Sequence, residues 1–186
     1  MVITGGNRGI GYEAVKKLLG LGFHIILGKL YGCFLLKMEW QVYQFWFFFL
    51  IHFTGVRRPS EFYDKINKEE IVALNEATVG TFEALELDLT SLDSVKSFAN
   101  KILAMGIGID VLMNNAGIMF GPRRETKDGI EMQLATNYFG HFLLTCMLMP
   151  KLKQAGRPDA CSRIINVSSA AHHGGCWINW DDIQSA

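Results

Sequence analysis

Several things are scarce or missing in this chain of 186 residues. A charge excess is missing: 18 Lys and Arg balance 18 Asp and Glu, so nothing draws the chain to nucleic acid, and no such partner is expected. Cysteine is scarce. Cys33, Cys146, Cys161 and Cys176 form no CxxC pair and no metal-ligand spacing, which argues against a metal centre and for a reduced, intracellular chain. Its compartment is expected to be the cytoplasm or the surface of an intracellular membrane. A bilayer-crossing run is missing, because the longest strictly apolar stretch, 45–51, is far below the roughly 18–20 residues required. No cleavable signal peptide is read at the start, which opens directly on a strand and a glycine turn. Repeats, low-complexity segments and linkers are missing too, so residues 1–186 are expected to form a single domain. What is present is a 49% hydrophobic composition, too apolar for disorder and enough for one core.

Short apolar runs alternate with amphipathic stretches. A strand stub at 1–3 meets a glycine-rich turn, 10–21 reads as a helix, and 23–27 as a strand. Residues 60–77 show helical periodicity with charged faces. Then come a strand at 81–87, a helix at 92–105 introduced by Thr90 and Ser91, and a strand at 110–113 leading into Asn114-Asn115-Ala116-Gly117. Residues 129–155 form one long helix or two, and 163–167 is a further strand. This alternation predicts an α/β fold whose parallel sheet is covered on both faces.

Residues 29–55 break the rhythm, holding six of the 13 phenylalanines and two of the 4 tryptophans. Deleting them joins 23–28 to 56–59 as a clean strand and turn. Gly28-Lys29 can be encoded with a GT splice donor, and the aromatic run closing on Gly55 with a pyrimidine-rich tract ending in AG. The block is therefore read as a translated intron, an atypical insert at 29–55. Attachment of its apolar run to a membrane surface is the competing reading.

Thr4-Gly5-Gly6-Asn7-Arg8-Gly9-Ile10-Gly11 lies between strand and helix. Glycines at 5, 9 and 11 permit a tight turn and let a pyrophosphate approach the backbone, where the helix offers unpaired N–H groups and the positive end of its dipole. The alternative is an ordinary glycine turn. Placement between strand and helix, with Asp88 ending the third strand, favours the phosphate site.

The motifs Thr4-Gly5-x3-Gly9-x-Gly11, Asp88-Leu89, Asn114-Asn115-Ala116-Gly117, Asn137 and Asn166-Val167-Ser168-Ser169 follow one another as in short-chain dehydrogenases/reductases. The chain resembles that family. Asp128-Gly129, Gly140-His141-Phe142-Leu143-Leu144, Ser168-Ser169-Ala170-Ala171-His172 and Asn179-Trp180-Asp181-Asp182 look most like its retinol dehydrogenase-like branch. The resemblance implies a three-layer Rossmann fold and the interconversion of an alcohol and its carbonyl on a small lipophilic substrate. The turn of Thr4, Gly5, Asn7, Arg8, Gly9, Ile10 and Gly11 would hold the dinucleotide phosphates. Asp88 would meet the adenine amino group, with Leu89 beside the ring. Asn114, Ala116 and Gly117 would pass beneath the cofactor ribose. Asn137 would hold a water of the proton relay, and Ser169 would hydrogen-bond the substrate carbonyl, with Ser168 the near alternative. Asn115 and Asn137 also fit plain turn or helix structure, and Ser168-Ser169 a plain strand exit.

An NAD site of this kind places an acid after the second strand. Here, once the block is removed, Val56-Arg57-Arg58 follows instead, and a guanidinium suits a ribose 2′-phosphate. With Arg8 assisting, NADP(H) is expected over NAD(H); the alternative is that Arg57 and Arg58 decorate a solvated loop. The family's proton donor, a tyrosine with a lysine four residues on, should follow the serine. The residues after Ser169 contain neither type, and the one Tyr-x3-Lys, Tyr12 to Lys16, is read as coincidence on the first helix. The expectation is a chain truncated on its C-terminal side, with an unpaired edge at 163–167, whose complete form is a homodimer. The rival is an inactive product that at most binds the dinucleotide. Met119, Phe120 and Trp177 would line a remnant of the substrate pocket, and His172-His173 a loop.

Overall fold

In the computed structural model, which describes residues 1–6, 9–29, 80–119, 122–174 and 178–184, the short apolar runs become five strands of one parallel sheet. The order along the chain is β1 (Val2–Thr4), α1 (Gly9–Gly20), β2 (His24–Lys29), β3 (Thr81–Glu86), α2 (Leu92–Ala104) and β4 (Val111–Asn114). There follow α3 (Met132–Leu134), a π-helical turn (Ala135–Phe139), α4 (Gly140–Ala155), β5 (Arg163–Asn166) and a 3-10 turn (Ala170–Gly174). The strands lie in the order β3-β2-β1-β4-β5. The sheet grows outward from β1 to β3, then jumps back across β1 to β4. Such a reversal marks the place, outside the carboxyl ends of β1 and β4, where open α/β sheets receive ligands. The expected α/β fold with a parallel sheet is the one observed.

Alternation along the strands divides the core between two faces. Val2, Ile26 and Leu112 pack with Val95, Phe98, Ile102, Leu144, Leu148 and Leu152 of α2 and α4. Ile3, Ile25, Leu27 and Phe82 pack with Val15 and Leu19 of α1. Three layers result, because residues of successive strand positions must leave the sheet on opposite sides. Helix α2 shows why its sequence folds locally. Ser91 Oγ accepts from the Ser94 N–H, Asp93 sits in the first turn and Lys101 in the last. Its buried residues Val95, Phe98, Ala99 and Ile102 follow the three-to-four spacing of one helical face. Phe98 is fully buried. Phe98→Ala should therefore lower stability by about 3–5 kcal/mol, read as a fall in urea midpoint at constant slope; a loss under about 1 kcal/mol would show that this layer is loosely packed.

Some boundaries differ from expectation. Strand β2 runs on to Lys29, because it pairs residue for residue with β3 from His24–Thr81 to Lys29–Glu86. The helix expected from 129 begins only at Met132. Gly129, at φ +72°, closes a turn instead, and the Glu131 carboxylate accepts from the Gln133 and Leu134 N–H groups. Strand β5 is the open edge of the described sheet, with Ile164 and Ile165 about two-fifths exposed. The expected helix at 60–77 and residues 30–55 of the insert lie outside the described residues. No helix among the described residues is long and apolar enough to cross a membrane.

Candidate functional site

The turn after β1 shows that its glycines serve different ends. Gly5 has φ +63°, and a Cβ there would lie 2.8 Å from Ala116 Cα. Gly11 is buried, and a Cβ there would lie 2.5 Å from both the Gly5 carbonyl oxygen and Asn115 Nδ2. These two glycines let the loop, the first turn of α1 and the strand exit of β4 press together. Gly9 differs: it has φ +54° and, among the described residues, nothing within 4 Å of a Cβ position. Gly9 thus differs from Gly5 and Gly11 in leaving open space among the described residues at the start of α1, while the other two allow the close backbone approach that a tight turn needs. Ile10 beside it is 75% exposed. Asn7, Arg8 and Arg57 lie outside the described residues.

The turn is fastened from below by Thr4. Its buried Oγ1 accepts the backbone N–H groups of Asn115 and Ala116, each at 3.0 Å, and lies 2.8 Å from His141 Nε2. Asn115 completes the clasp, donating from Nδ2 to the carbonyls of Thr4 at 3.0 Å and Gly5 at 3.1 Å. Asn115 is therefore turn structure, as one of its two sequence readings held. Asn114 is buried within the sheet. Its Nδ2 donates to Thr145 Oγ1 and Asn166 Oδ1, tying β4 to α4 and β5, while its buried Oδ1 has no partner among the described residues. The side chain of Asn114 is thus a cross-link inside the sheet, and any part it plays beneath a ribose falls to its backbone at the end of β4. Ala116 packs on the main core cluster and against Gly5, and Gly117 is exposed with only Asn137 Oδ1 near its Cβ position.

Asp88 lies two residues past β3. Its Oδ1 accepts from the Thr90 N–H and hydroxyl, leaving Oδ2 without a partner among the described residues. Leu89 is 7% exposed and packs in the core, where it touches the position of Gly140. Its side chain packs as part of the core next to Asp88. Asn137, exposed in the π-helical turn, uses both ends of its amide on one residue: Oδ1 accepts from the Ile118 N–H and Nδ2 donates to the Ile118 carbonyl, both at 2.9 Å. Its side chain holds the loop after β4. Ser169 is exposed past β5. Its Oγ accepts the Ala171 N–H at 3.2 Å, so its own proton is free among the described residues. His172 donates from Nδ1 to the Ser169 carbonyl, a loop role for that ring. Met119 is half exposed, and Phe120 and Trp177 lie outside the described residues.

Tyr12 and Lys16 stay on α1, the Lys16 ammonium 5.5 Å from the Tyr12 ring centre and 4.0 Å from Glu13. His141 was missed as a site residue; its signal was the four-residue spacing from Asn137 on one helical face. Burial holds His141 below the usual histidine value of 6.5, and its Asn137 carbonyl contact opposes this more weakly. Because its folded pKa lies below its unfolded one, the unfolded chain takes up the proton first. The neutral-ring contribution is complete above about pH 6.5 and falls as pH drops below it. His141→Gln should flatten this part of the acid limb of the stability curve, and an unchanged limb would refute it.

A parallel sheet ordered β3-β2-β1-β4-β5, with helices on both faces and a glycine turn at the reversal, defines a Rossmann-type α/β protein. Residues 63–177 match the family model described as short chain dehydrogenase. The chain belongs to that family. It is 36% identical to a polyprenol dehydrogenase of Danio rerio over 183 residues, covering 98% of this chain and 47% of the relative. It is likewise 36% identical to retinol dehydrogenase 11 of Homo sapiens over 178 residues, covering 94% and 44%. A metagenomic short-chain oxidoreductase solved in complex with NADP superposes with a TM-score of 0.58 at 26% identity, covering 91% of this chain and 62% of that one. The chain spans about half the length of the curated relatives it matches.

Proposed function

We propose that this chain holds NADP(H) above the carboxyl ends of β1 and β4, in the service of interconverting a lipophilic alcohol and its carbonyl. The observation that carries the proposal is Gly9. Its positive φ and open surroundings at the head of α1, over a turn clasped by Thr4 and Asn115, fit a phosphate against unpaired backbone N–H groups. Asp88 Oδ2 is available to accept the adenine amino group, and the exposed Gly117 leaves room beneath a ribose. Arg57 and Arg58 in the sequence support the 2′-phosphorylated cofactor, as does the metagenomic relative solved with NADP. The polyprenol and retinol named in two relatives support a lipophilic substrate.

A dinucleotide held by the glycine turn and Asp88 would supply the hydride chemistry at the substrate's carbonyl carbon. Ser169 donates its free hydroxyl proton in a hydrogen bond to the substrate oxygen, polarising the carbonyl. Asn137 acts through Ile118, keeping the loop after β4 in place. The oxygen also needs a proton, and residues 170–186 contain no tyrosine or lysine to deliver it. Hence the second reading: these 186 residues bind the dinucleotide without turning it over.

Titrating the chain with NADPH and NADH, followed by nicotinamide fluorescence, tests both. Saturable binding that is tighter for NADPH, with no NADPH oxidation on adding long-chain aldehydes, is expected. Absence of saturable binding overturns the cofactor assignment. Oxidation of NADPH overturns the binding-only reading and directs attention to Tyr12. In a chain that does carry a Tyr-x3-Lys after Ser169, Ser169→Ala should cut turnover by about 10²–10³-fold while sparing NADPH binding.

A further inference from the structure

His141 has no part in the chemistry just proposed, yet it places a polar ring at 6% exposure between sheet and helix. Its Nε2 lies 2.8 Å from Thr4 Oγ1. That oxygen already accepts two backbone N–H groups, which occupy both of its lone pairs. The hydroxyl has one proton left to give, so Nε2 is the bare acceptor and Nδ1 carries the ring hydrogen. Nδ1 in turn faces the Asn137 carbonyl at 3.5 Å. A protonated ring would aim a second N–H at an oxygen with no lone pair to offer. Helix α4 already lies close against the chain on this side: a Cβ added at Gly140 would fall 2.6 Å from the Leu89 carbonyl oxygen. One ring therefore touches both the clasp beneath the glycine turn and the π-helical turn that holds the loop after β4.

We propose that His141 is a positioning residue, which locks the Thr4 hydroxyl in the rotamer that gathers Asn115 and Ala116 and so sets the floor of the cofactor crevice. The geometry stands by itself; the consequence for a ligand rests on the NADP(H) reading. Substitutions tell position from bulk. His141→Leu fills the space and removes the acceptor, whereas His141→Gln keeps an oxygen that can take the Thr4 proton.

The test measures NADPH binding to the full chain and both variants, with circular dichroism to check folding, and the ring-nitrogen NMR shifts of His141 in the unsubstituted chain. The expected result is a neutral ring protonated on Nδ1 near neutral pH. His141→Leu should weaken NADPH binding by about tenfold or more, the scale of one lost buried hydrogen bond, and His141→Gln should restore it to within about threefold. A ring protonated on Nε2, a leucine variant that binds as well as the parent, or a glutamine variant as weak as leucine overturns the proposal. Should the leucine variant fail to fold, the glutamine variant and the ring shifts decide. Should the parent chain not bind NADPH, the functional reading falls and the ring shifts alone decide the positioning role.

Discussion

Replacing Thr4 with valine should cost the folded chain about 3–5 kcal/mol, out of a total that for a domain of this size is typically about 5–15 kcal/mol. Valine preserves the β-branched shape that suits the end of β1 but removes the oxygen. The N–H groups of Asn115 and Ala116 then lose their acceptor, and His141 Nε2 loses its donor. Each such orphaned group costs about 1–3 kcal/mol when water cannot replace the partner. Thr4 is fully buried, so water has no path to it short of opening the turn. Thr4→Ser keeps the oxygen and loses only a methyl, which should cost about 1 kcal/mol. Chemical unfolding of the two variants checks this, and a valine variant no less stable than the serine one would mean that the clasp carries little of the fold's stability.

The glycine turn separates structure from ligand binding in a second pair of variants. Gly11→Ala should destabilise the chain by about 3 kcal/mol or more, because its Cβ would sit 2.5 Å from the Gly5 carbonyl oxygen, a backbone atom that can yield only if the turn deforms. Gly9→Ala meets nothing within 4 Å among the described residues. Its folding cost is the left-handed backbone alone, about 1–2 kcal/mol. Yet its methyl would project into the space assigned to the cofactor phosphates, and loss of even one or two charge-assisted contacts lowers affinity by about a hundredfold. Thermal melts and NADPH titrations of both variants should therefore rank in opposite senses. A Gly9→Ala chain that binds NADPH like the parent would remove the observation on which the cofactor site rests.

Much of this was legible along the chain because it is local. The β-branched pairs Val2-Ile3, Ile25-Ile26 and Ile164-Ile165 lie in strands as their residue types favour. The spacing of Val95, Phe98 and Ile102 made α2 a helix, and Ser91 marked its start. The order of short strands and helices set a parallel sheet, since a strand followed by a crossover helix returns in the same direction. Where local signals compete, the ends moved: β2 gained Lys29 from its ladder with β3, and the helix after Gly129 waited for the Glu131 cap.

By itself, then, the sequence determined the fold class, the position of the glycine turn at the head of a helix, and the set of polar residues gathered at the strand ends. Only the tertiary structure decided what each of those residues does. Asn114 and Asn115 are adjacent and chemically identical, yet one cross-links β4 to β5 and α4 while the other clasps the glycine turn. Gly9 and Gly11 look equivalent in the motif, yet one faces open space and the other the backbone of Gly5. Leu89 went to the core and His141 to a buried contact with the Thr4 hydroxyl. The physical reason is sequence distance. Thr4 meets Asn115 across 111 positions and His141 across 137, and no periodicity or local propensity reaches that far; alternating strand faces and the reversal of the sheet bring those groups within a hydrogen bond of one another.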